Sequence, residues 1–248
     1  MPNAIRRYLL KAFLFLLLFG ERSLLAQTAP DSLIQKEATV KRTLKLQWLA
    51  PVSLMGGGLA ASFKNPVLDR YKVQEWRMRT APDFHTHVDD WMPYIPAAAV
   101  YGLDWLGVKA KNDFMNRSAI LFKSELIMLA MVFPVKELSH VLRPDGSTYN
   151  SFPSGHTAQA FMAAQFLHHE LGDKHIAYSI AGYSIATGVG ILRMMNNRHW
   201  LSDVLAGAGV GILSTEIAYA THRYKWCKKL VVMPWVGKGV GVYVNVKH

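Results

Sequence analysis

The sequence predicts an all-α protein, a membrane-associated bundle of about six apolar helices. Hydrophobic residues form 51% of the 248 residues, and the mean hydropathy of +0.10 lies between the values typical of soluble proteins and of proteins with many membrane spans. In the apolar blocks, hydrophobic residues lie on all sides, without the alternation that is typical of half-buried strands. These two observations favour helices packed together in one bundle.

Composition limits the partners and the kinds of site. The 28 Lys and Arg residues exceed the 17 Asp and Glu residues, which gives a formal charge of +11. Such a charge favours anionic partners: phosphates, nucleic acid or an acidic membrane surface. The single cysteine, Cys227, excludes an internal disulfide bond and a metal cluster built from several cysteines.

The N-terminus has the pattern of a targeting segment. Basic residues precede an apolar run at 12–19, and Ala26 offers a small residue for cleavage. The run is too short for a full transmembrane helix. We therefore expect a signal peptide or an N-terminal anchor over residues 1–26 and a polar linker over residues 27–45.

Six apolar blocks follow within residues 46–220, which we predict to form one helical domain. Pro51 and the glycines at 56–58 interrupt the first block. Gly207 and Gly211 in the last block permit two helices to pack closely. The blocks are residues 46–63, 91–108, 118–135, 156–170, 176–192 and 203–220.

Few of these blocks have the length and composition of a membrane span, which needs about 20 mostly apolar residues. The block at 118–135 carries Lys123 and Glu125 near its middle, so we expect it to be a core helix or to lie partly in the membrane interface. The segments 176–191 and 204–220 are the better candidates for spanning.

The chain changes character over residues 221–248. This tail has six Lys or Arg residues and no acidic residue, and it ends in alternating Val, Tyr and Gly. Alternation of this kind is typical of strands. We predict a basic tail with a short possible β-hairpin.

The first polar cluster is "KELSHVLRP". Lys136 and Arg143 are seven residues apart, so they share one face if the segment is helical. Pro144 disfavours helix at the residue before it, and we expect the helix to end near that point. Two cations would then converge at a helix end.

The second cluster is "PSGH". Pro153 favours a turn, Ser154 can cap a helix, and Gly155 allows a close approach of the backbone. His156 would then lie in the first turn of a helix, whose free N–H groups and dipole bind phosphate. A histidine at this position can give or take a proton beside a bound anion.

The third cluster is "RMMNNRHWLSD". His199 and Asp203 are four residues apart, one helical turn, so Asp203 can accept a hydrogen bond from one ring nitrogen of His199. That bond fixes the tautomer and leaves the other nitrogen available as a nucleophile. Arg193 could bring its planar guanidinium to phosphate oxygens.

In order along the chain, K-x6-R-P, P-S-G-H and R-x5-H-x3-D resemble the motifs of the type 2 phosphatidic acid phosphatase (PAP2) and haloperoxidase superfamily. The resemblance covers roughly residues 91–220 and makes residues 46–220 the expected catalytic domain. Leu192 departs from the pattern, because the family usually has Ser there. The change removes one hydroxyl near the phosphate, which concerns phosphate affinity more than the type of reaction.

The resemblance implies a role for each motif residue. His199 would attack phosphorus and form a phosphohistidine, and Asp203 would orient it. His156 would protonate the leaving alkoxide and then activate water. A cationic cradle would bind the phosphate oxygens; its members are the side chains of Lys136, Arg143 and Arg193 with the backbone at Ser154 and Gly155.

The resemblance also implies that no metal and no other cofactor is needed, because the cationic cradle neutralises the charge of the transition state. One segment, "HTHVDD", is nevertheless metal-like by composition. It contains His85, His87, Asp89 and Asp90. We expect a polar loop with a helix cap there, close to the substrate entrance.

The implied function is a metal-independent phosphatase of lipid phosphates or pyrophosphates in a bacterial-type cell envelope, with its active site facing the periplasm. Similar bacterial enzymes act on lipid A, on polyprenyl diphosphates such as undecaprenyl diphosphate, or on phosphatidylglycerol phosphate. The expected partners are the lipid substrate and an anionic membrane surface. Nucleic acid is not expected, and the oligomeric state is left open.

Three other functions fit parts of the sequence. The first alternative is a soluble periplasmic, non-specific acid phosphatase of the same superfamily, which the short helix after His156 would suit. The second is a vanadate-dependent haloperoxidase, which the same cradle could support. The third is a membrane-anchored binding protein without enzymatic activity.

Overall fold

The computed structural model describes residues 48–63, 69–224, 230–236 and 240–246. The targeting segment expected at 1–26 and the linker expected at 27–45 lie outside the described residues, as does Cys227. The division into these segments stays a prediction.

The described part of the chain up to residue 224 is helical, and the predicted all-α class is confirmed. Most connections between the helices are short, and a 3-10 turn at Met92–Tyr94 leads into the fourth helix. The helices are α1 (Trp48–Ala61), α2 (Arg70–Thr80), α3 (Val88–Trp91), α4 (Ile95–Trp105), α5 (Phe114–Ser139), α6 (Gly155–Leu171), α7 (Ile176–Met195) and α8 (Leu201–Ala220).

Helix α6 is the centre of the bundle and packs against α4, α5, α7 and α8. Its side chains Met162, Phe166 and Leu171 are fully buried. Helices α6 and α8 cross closely at two glycines of α8. A Cβ atom on Gly207 would lie 2.5 Å from the carbonyl oxygen of Ser154, and a Cβ atom on Gly211 would lie even closer to the carbonyl oxygen of Ala158. The close packing predicted for these two glycines is confirmed.

Two of the described helices, α5 and α8, are long and apolar enough to cross a membrane, by length and composition. They differ in burial: 83% of the most apolar window of α8 is buried inside the bundle, compared with 22% of that of α5. The segment 176–191, which was expected to be a better candidate than 118–135, lies in α7 and is not one of the two.

The segment 118–135, which was expected to be a core helix or to lie partly in the membrane interface, thus has the length and composition of a span, and its position relative to a membrane stays a prediction. Its charged side chains turn toward polar partners at the bundle: the Lys123 ammonium donates to the carbonyl oxygen of Thr221 at 3.0 Å, and the Glu125 carboxylate accepts from the Gln159 amide at 2.8 Å. Both charges thus have partners, and the exposed side chains of α5 include Phe122, Leu126 and Phe133.

The tail contains two strands, β1 (Leu230–Val236) and β2 (Val240–Val246). They pair antiparallel, with Leu230 opposite Val246 and Val236 opposite Val240.

Candidate active site

The three sequence motifs meet at one end of the bundle. The Ser154 N–H group, at the start of α6, donates to the Asp203 carbonyl oxygen in the first turn of α8 at 3.0 Å. A Cβ atom on Gly155 would lie 3.8 Å from Cε of Lys136, in the last turn of α5. Arg193, in the last turn of α7, is buried beside them. Four helix ends therefore surround one small region.

The two cations of the first motif converge, but they do not share a helix. Helix α5 ends at Ser139, and His140 has a left-handed φ of 44°. The helix was expected to end near Pro144, and it ends earlier, at Ser139. Lys136 and Arg143 are instead held by Asn150: Nζ of Lys136 donates to its carbonyl oxygen at 2.7 Å, and Nε of Arg143 donates to its Oδ1 at 3.1 Å.

The second motif forms the predicted helix start. Ser154 is the N-cap of α6, and its hydroxyl oxygen accepts from the Thr157 N–H group at 3.4 Å. Gly155 and His156 are the first two residues of the helix. The first N–H groups of an α-helix have no partner within the helix, so they point toward the region where an anion can bind. The His156 side chain is partly exposed beside that region.

The third motif forms a buried histidine–carboxylate pair. Nδ1 of His199 lies 3.5 Å from Oδ2 of Asp203, and both side chains are almost fully buried. The Asp203 carboxylate also accepts from the Ser151 hydroxyl at 2.5 Å, the Trp200 N–H group at 2.9 Å and the Ser202 hydroxyl at 3.1 Å. This cage fixes Asp203 against Nδ1 and leaves Nε2 of His199 for another partner.

Arg193, the third cation, has two acidic neighbours that the sequence motifs did not place in the site. Nη1 of Arg193 lies 2.8 Å from Oδ2 of the buried Asp89 and 3.5 Å from Oδ1 of Asp90. The same Oδ1 atom lies 3.5 Å from Nε2 of His156. Nε of Arg193 is buried and has no hydrogen-bond partner among the described residues. Arg193 thus keeps a free donor.

The segment "HTHVDD" begins as an exposed polar loop and ends in the short helix α3, where its two carboxylates contact the site. Asp89 and Asp90 face Arg193 and His156, as described above, while His87 contacts Asp90 at 3.5 Å and stacks edge-on against His85. Within residues 48–63 and 69–224, no three His, Cys, Asp or Glu side chains are grouped so that they could hold a metal ion.

The motifs did not reveal four residues of the site, Asn150, Ser151, Asp89 and Asp90. Asn150 and Ser151 lie just before the P-S-G-H motif, and this closeness in sequence was the only indication that they belong to the site. Asp89 lies 104 residues before Arg193 in the chain. Its carboxylate was visible in the sequence, but only the fold shows which cation it meets.

Burial and nearby charges shift the pKa values of the two histidines, His199 and His156. Burial lowers the pKa of His199 to about 4, although the Asp203 carboxylate acts in the opposite direction. Burial and then the Arg193 guanidinium lower the pKa of His156, whereas Asp90 opposes this. His199 is therefore neutral at pH 7, as a nucleophilic imidazole must be. The arrangement can bind a tetrahedral anion between cations and present a neutral imidazole to it.

Comparison with known proteins agrees with this geometry. The family model described as "PAP2 superfamily" matches residues 79–227. The chain belongs to the PAP2 superfamily. The resemblance inferred from the motifs is thereby confirmed, and the match includes all the predicted site residues together with Asp89 and Asp90.

Among curated proteins, the chain is similar to a "Lipid A 1-phosphatase" of Porphyromonas gingivalis. The two are 40% identical over 148 residues, which is 59% of this chain and 33% of that protein. The chain thus spans about a third of the length of this relative.

Two solved structures are also similar to the chain. The first is LpxE of Aquifex aeolicus, with 21% identity and a TM-score of 0.45, covering 59% of this chain and 93% of that one. The second is a transmembrane PAP2 type phosphatidylglycerolphosphate phosphatase from Bacillus subtilis, with 22% identity and a TM-score of 0.42, covering 71% of this chain and 98% of that one.

Proposed function

We propose that this PAP2 protein is a metal-independent phosphatase that hydrolyses a lipid phosphate or pyrophosphate through a phosphohistidine at the extracytoplasmic face of a membrane. The observation that carries the proposal is the convergence of Lys136, Arg143 and Arg193 around the first turn of α6, beside His156 and His199. The similarity to a lipid A 1-phosphatase over 148 residues supports a lipid-borne phosphate as the substrate.

The cationic cradle would bind the phosphate oxygens. The backbone at Ser154 and Gly155 starts α6: the Ser154 N–H group is held by the Asp203 carbonyl oxygen at 3.0 Å, and the Gly155 N–H group is suited to an anion because of its direction and the helix dipole. The unpaired Nε of Arg193 offers a further buried donor. Lys136 and Arg143 add two positive charges that Asn150 holds in place.

The chemistry would take two steps. Nε2 of His199 attacks phosphorus, the bond from phosphorus to the lipid oxygen breaks, and protonated His156 gives its proton to that oxygen. In the second step His156, now neutral, takes a proton from water, whose oxygen attacks the phosphohistidine. The bond between nitrogen and phosphorus then breaks, which releases inorganic phosphate and restores both histidines to their initial states.

The surface of the bundle supports an association with a membrane. Large apolar side chains of α5 are exposed, among them Phe122, Leu126 and Phe133. We propose that residues 46–220 form the catalytic domain and that the basic residues of 221–248 contact anionic lipids, each contributing about 1 kcal/mol near the surface.

A soluble periplasmic acid phosphatase is the second candidate. It is favoured by the burial of α8, since 83% of its most apolar window lies inside the bundle, as in the core helix of a soluble protein. Extraction of the full chain without detergent separates the two candidates. A soluble enzyme would appear in the aqueous fraction, and a membrane enzyme would require detergent.

The substrate test compares phosphate release in mixed micelles from lipid A, undecaprenyl diphosphate, phosphatidic acid and p-nitrophenyl phosphate. The lipid substrates should have the higher kcat/KM, and Lys136→Ala should reduce the rate for all of them. The highest kcat/KM for the soluble ester would favour the acid phosphatase. Equal release by the wild type and by a variant without both histidines would overturn both candidates.

A further inference from the structure

A short segment holds two carboxylates over the active site. Residues 84–90 are tied to the C-terminus of α7 by Asn196, whose Oδ1 accepts from the Thr86 N–H group at 2.9 Å. Nδ2 of the same amide donates to the Thr86 carbonyl oxygen and to Oδ1 of Asp89, both at 2.9 Å. The segment is thus fixed relative to Arg193, three residues earlier in the chain.

The two carboxylates have different partners. Asp89 is fully buried and is committed to Arg193 and Asn196. Asp90 is half exposed, and its Oδ1 lies 3.5 Å from both Nε2 of His156 and Nη1 of Arg193. Arg193 has a closer carboxylate in Asp89, and Oδ2 of Asp90 contacts Nδ1 of His87 at 3.5 Å, so Oδ1 of Asp90 is the atom that faces His156.

The contact between Asp90 and His156 resembles the one between Asp203 and His199. In both pairs a carboxylate oxygen lies 3.5 Å from one ring nitrogen. The nitrogens differ: Asp203 faces Nδ1 of His199, and Asp90 faces Nε2 of His156. A carboxylate on one nitrogen orients the ring and favours a proton on it.

We propose that Asp90 is a positioning residue for His156: it holds Nε2 so that Nδ1 is presented to the leaving oxygen. The proposal rests on the phosphatase function proposed above. The charged groups that face His156 are Arg193 and Lys136, which lower its pKa, and Asp90 and Asp89, which act in the opposite direction. Burial and Arg193 prevail, so the pKa of His156 is lowered, and Asp90 limits that fall.

The test is Asp90→Asn, which keeps the shape of the side chain and removes its charge. The matched control is Asp83→Asn, the same change at an exposed position just before the segment. We expect Asp90→Asn to lower kcat about 10- to 100-fold, within the contribution of general acid catalysis. KM should change little, the alkaline limb of the pH–rate profile should move to lower pH, and Asp90→Glu should restore part of kcat. Asp83→Asn should behave like the wild type.

A second readout does not depend on turnover. The His156 imidazole is titrated by NMR in the full chain in micelles, with its signal assigned by its loss in His156→Gln. The pKa of His156 should fall in Asp90→Asn and stay unchanged in Asp83→Asn. This readout stands even if no substrate is hydrolysed, so a failure of the phosphatase function is distinguishable from a failure of the inference.

Two results would overturn the proposal. An unchanged His156 pKa in Asp90→Asn would show that Asp90 is not its partner. An unchanged kcat with a lower KM would show instead that the Asp90 carboxylate competes with the substrate phosphate for Arg193.

Discussion

His199 and His156 differ in burial and in the nitrogen that each leaves free. His199 is buried, with Nδ1 against Asp203 and Ser151, whereas His156 is partly exposed and its Nε2 faces Asp90. The buried imidazole is suited to attack, since it is neutral and fixed. The more exposed one is suited to exchange protons with a leaving group and with water.

The low pKa of His199 predicts an acidic limit of activity. Its pKa is lowered to about 4, mainly by burial. Protonation below that pH removes the lone pair that attacks, so kcat/KM should persist well below pH 6.5 and fall near pH 4. In Asp203→Asn the pKa should fall further, because the carboxylate that favours the proton is gone, and the acid limb should move to lower pH. Profiles of both proteins check this; a wild-type limb near 6.5 would contradict it.

At the residue scale, the sequence revealed site residues that lie close together along the chain. It did not reveal those that meet only through the packing of separate helices. H-x3-D brings His199 beside Asp203 through one turn of chain, so spacing sufficed. Asn150 and Asp89 meet their cations only because separate helices converge, and no spacing rule encodes such a meeting.

At the scale of helices, the site depends on the crossing of α6 and α8. We expect Gly211→Ala to destabilise the fold by about 1–3 kcal/mol, because the added methyl group would meet backbone of α6 and force the helices apart. Gly56→Ala is the matched control, since a Cβ atom there meets nothing within 4 Å. It should be neutral or stabilise by about 1 kcal/mol, the helix propensity difference. Urea unfolding measures both; equal stabilities would contradict the close crossing.

The three cations come from α5, from the loop that follows it and from α7, and together they would replace a metal ion. We therefore expect activity to be unchanged by EDTA and inhibited by vanadate, which can occupy the cationic cradle as a five-coordinate mimic of the transition state. Phosphate release with and without each reagent checks this. Loss of activity in EDTA that a divalent cation restores would contradict a metal-independent mechanism.

The apolar blocks of the sequence predicted where helices form. They did not predict where each helix ends or which of its faces is exposed. Helix α5 ends at Ser139, before Pro144, because the chain turns at His140 to bring Arg143 toward Asn150. Lys123 and Glu125 make a membrane span over 118–135 look costly, and the sequence does not show that both side chains have partners in the bundle.

At the scale of the whole molecule, the exposed face of α5 predicts membrane attachment. We expect Phe122→Lys combined with Phe133→Lys to weaken it, because Lys costs about 2.5–3.5 kcal/mol at the centre of a membrane helix. Both side chains are exposed, so the fold should survive. The control replaces both with Leu. The fraction of protein left in membranes after an alkaline carbonate wash measures the effect; equal retention of the two variants would place α5 outside the membrane.

The central claim is that the phosphoryl group passes through His199. The most direct test is to mix enzyme with lipid phosphate labelled with ³²P, quench in alkali, where phosphohistidine survives, and locate the label by mass spectrometry. The label should lie on the peptide that contains His199 and be absent from His199→Ala, which should also lose several orders of magnitude in turnover. Label on another residue, or turnover near the wild-type rate in His199→Ala, would contradict the mechanism.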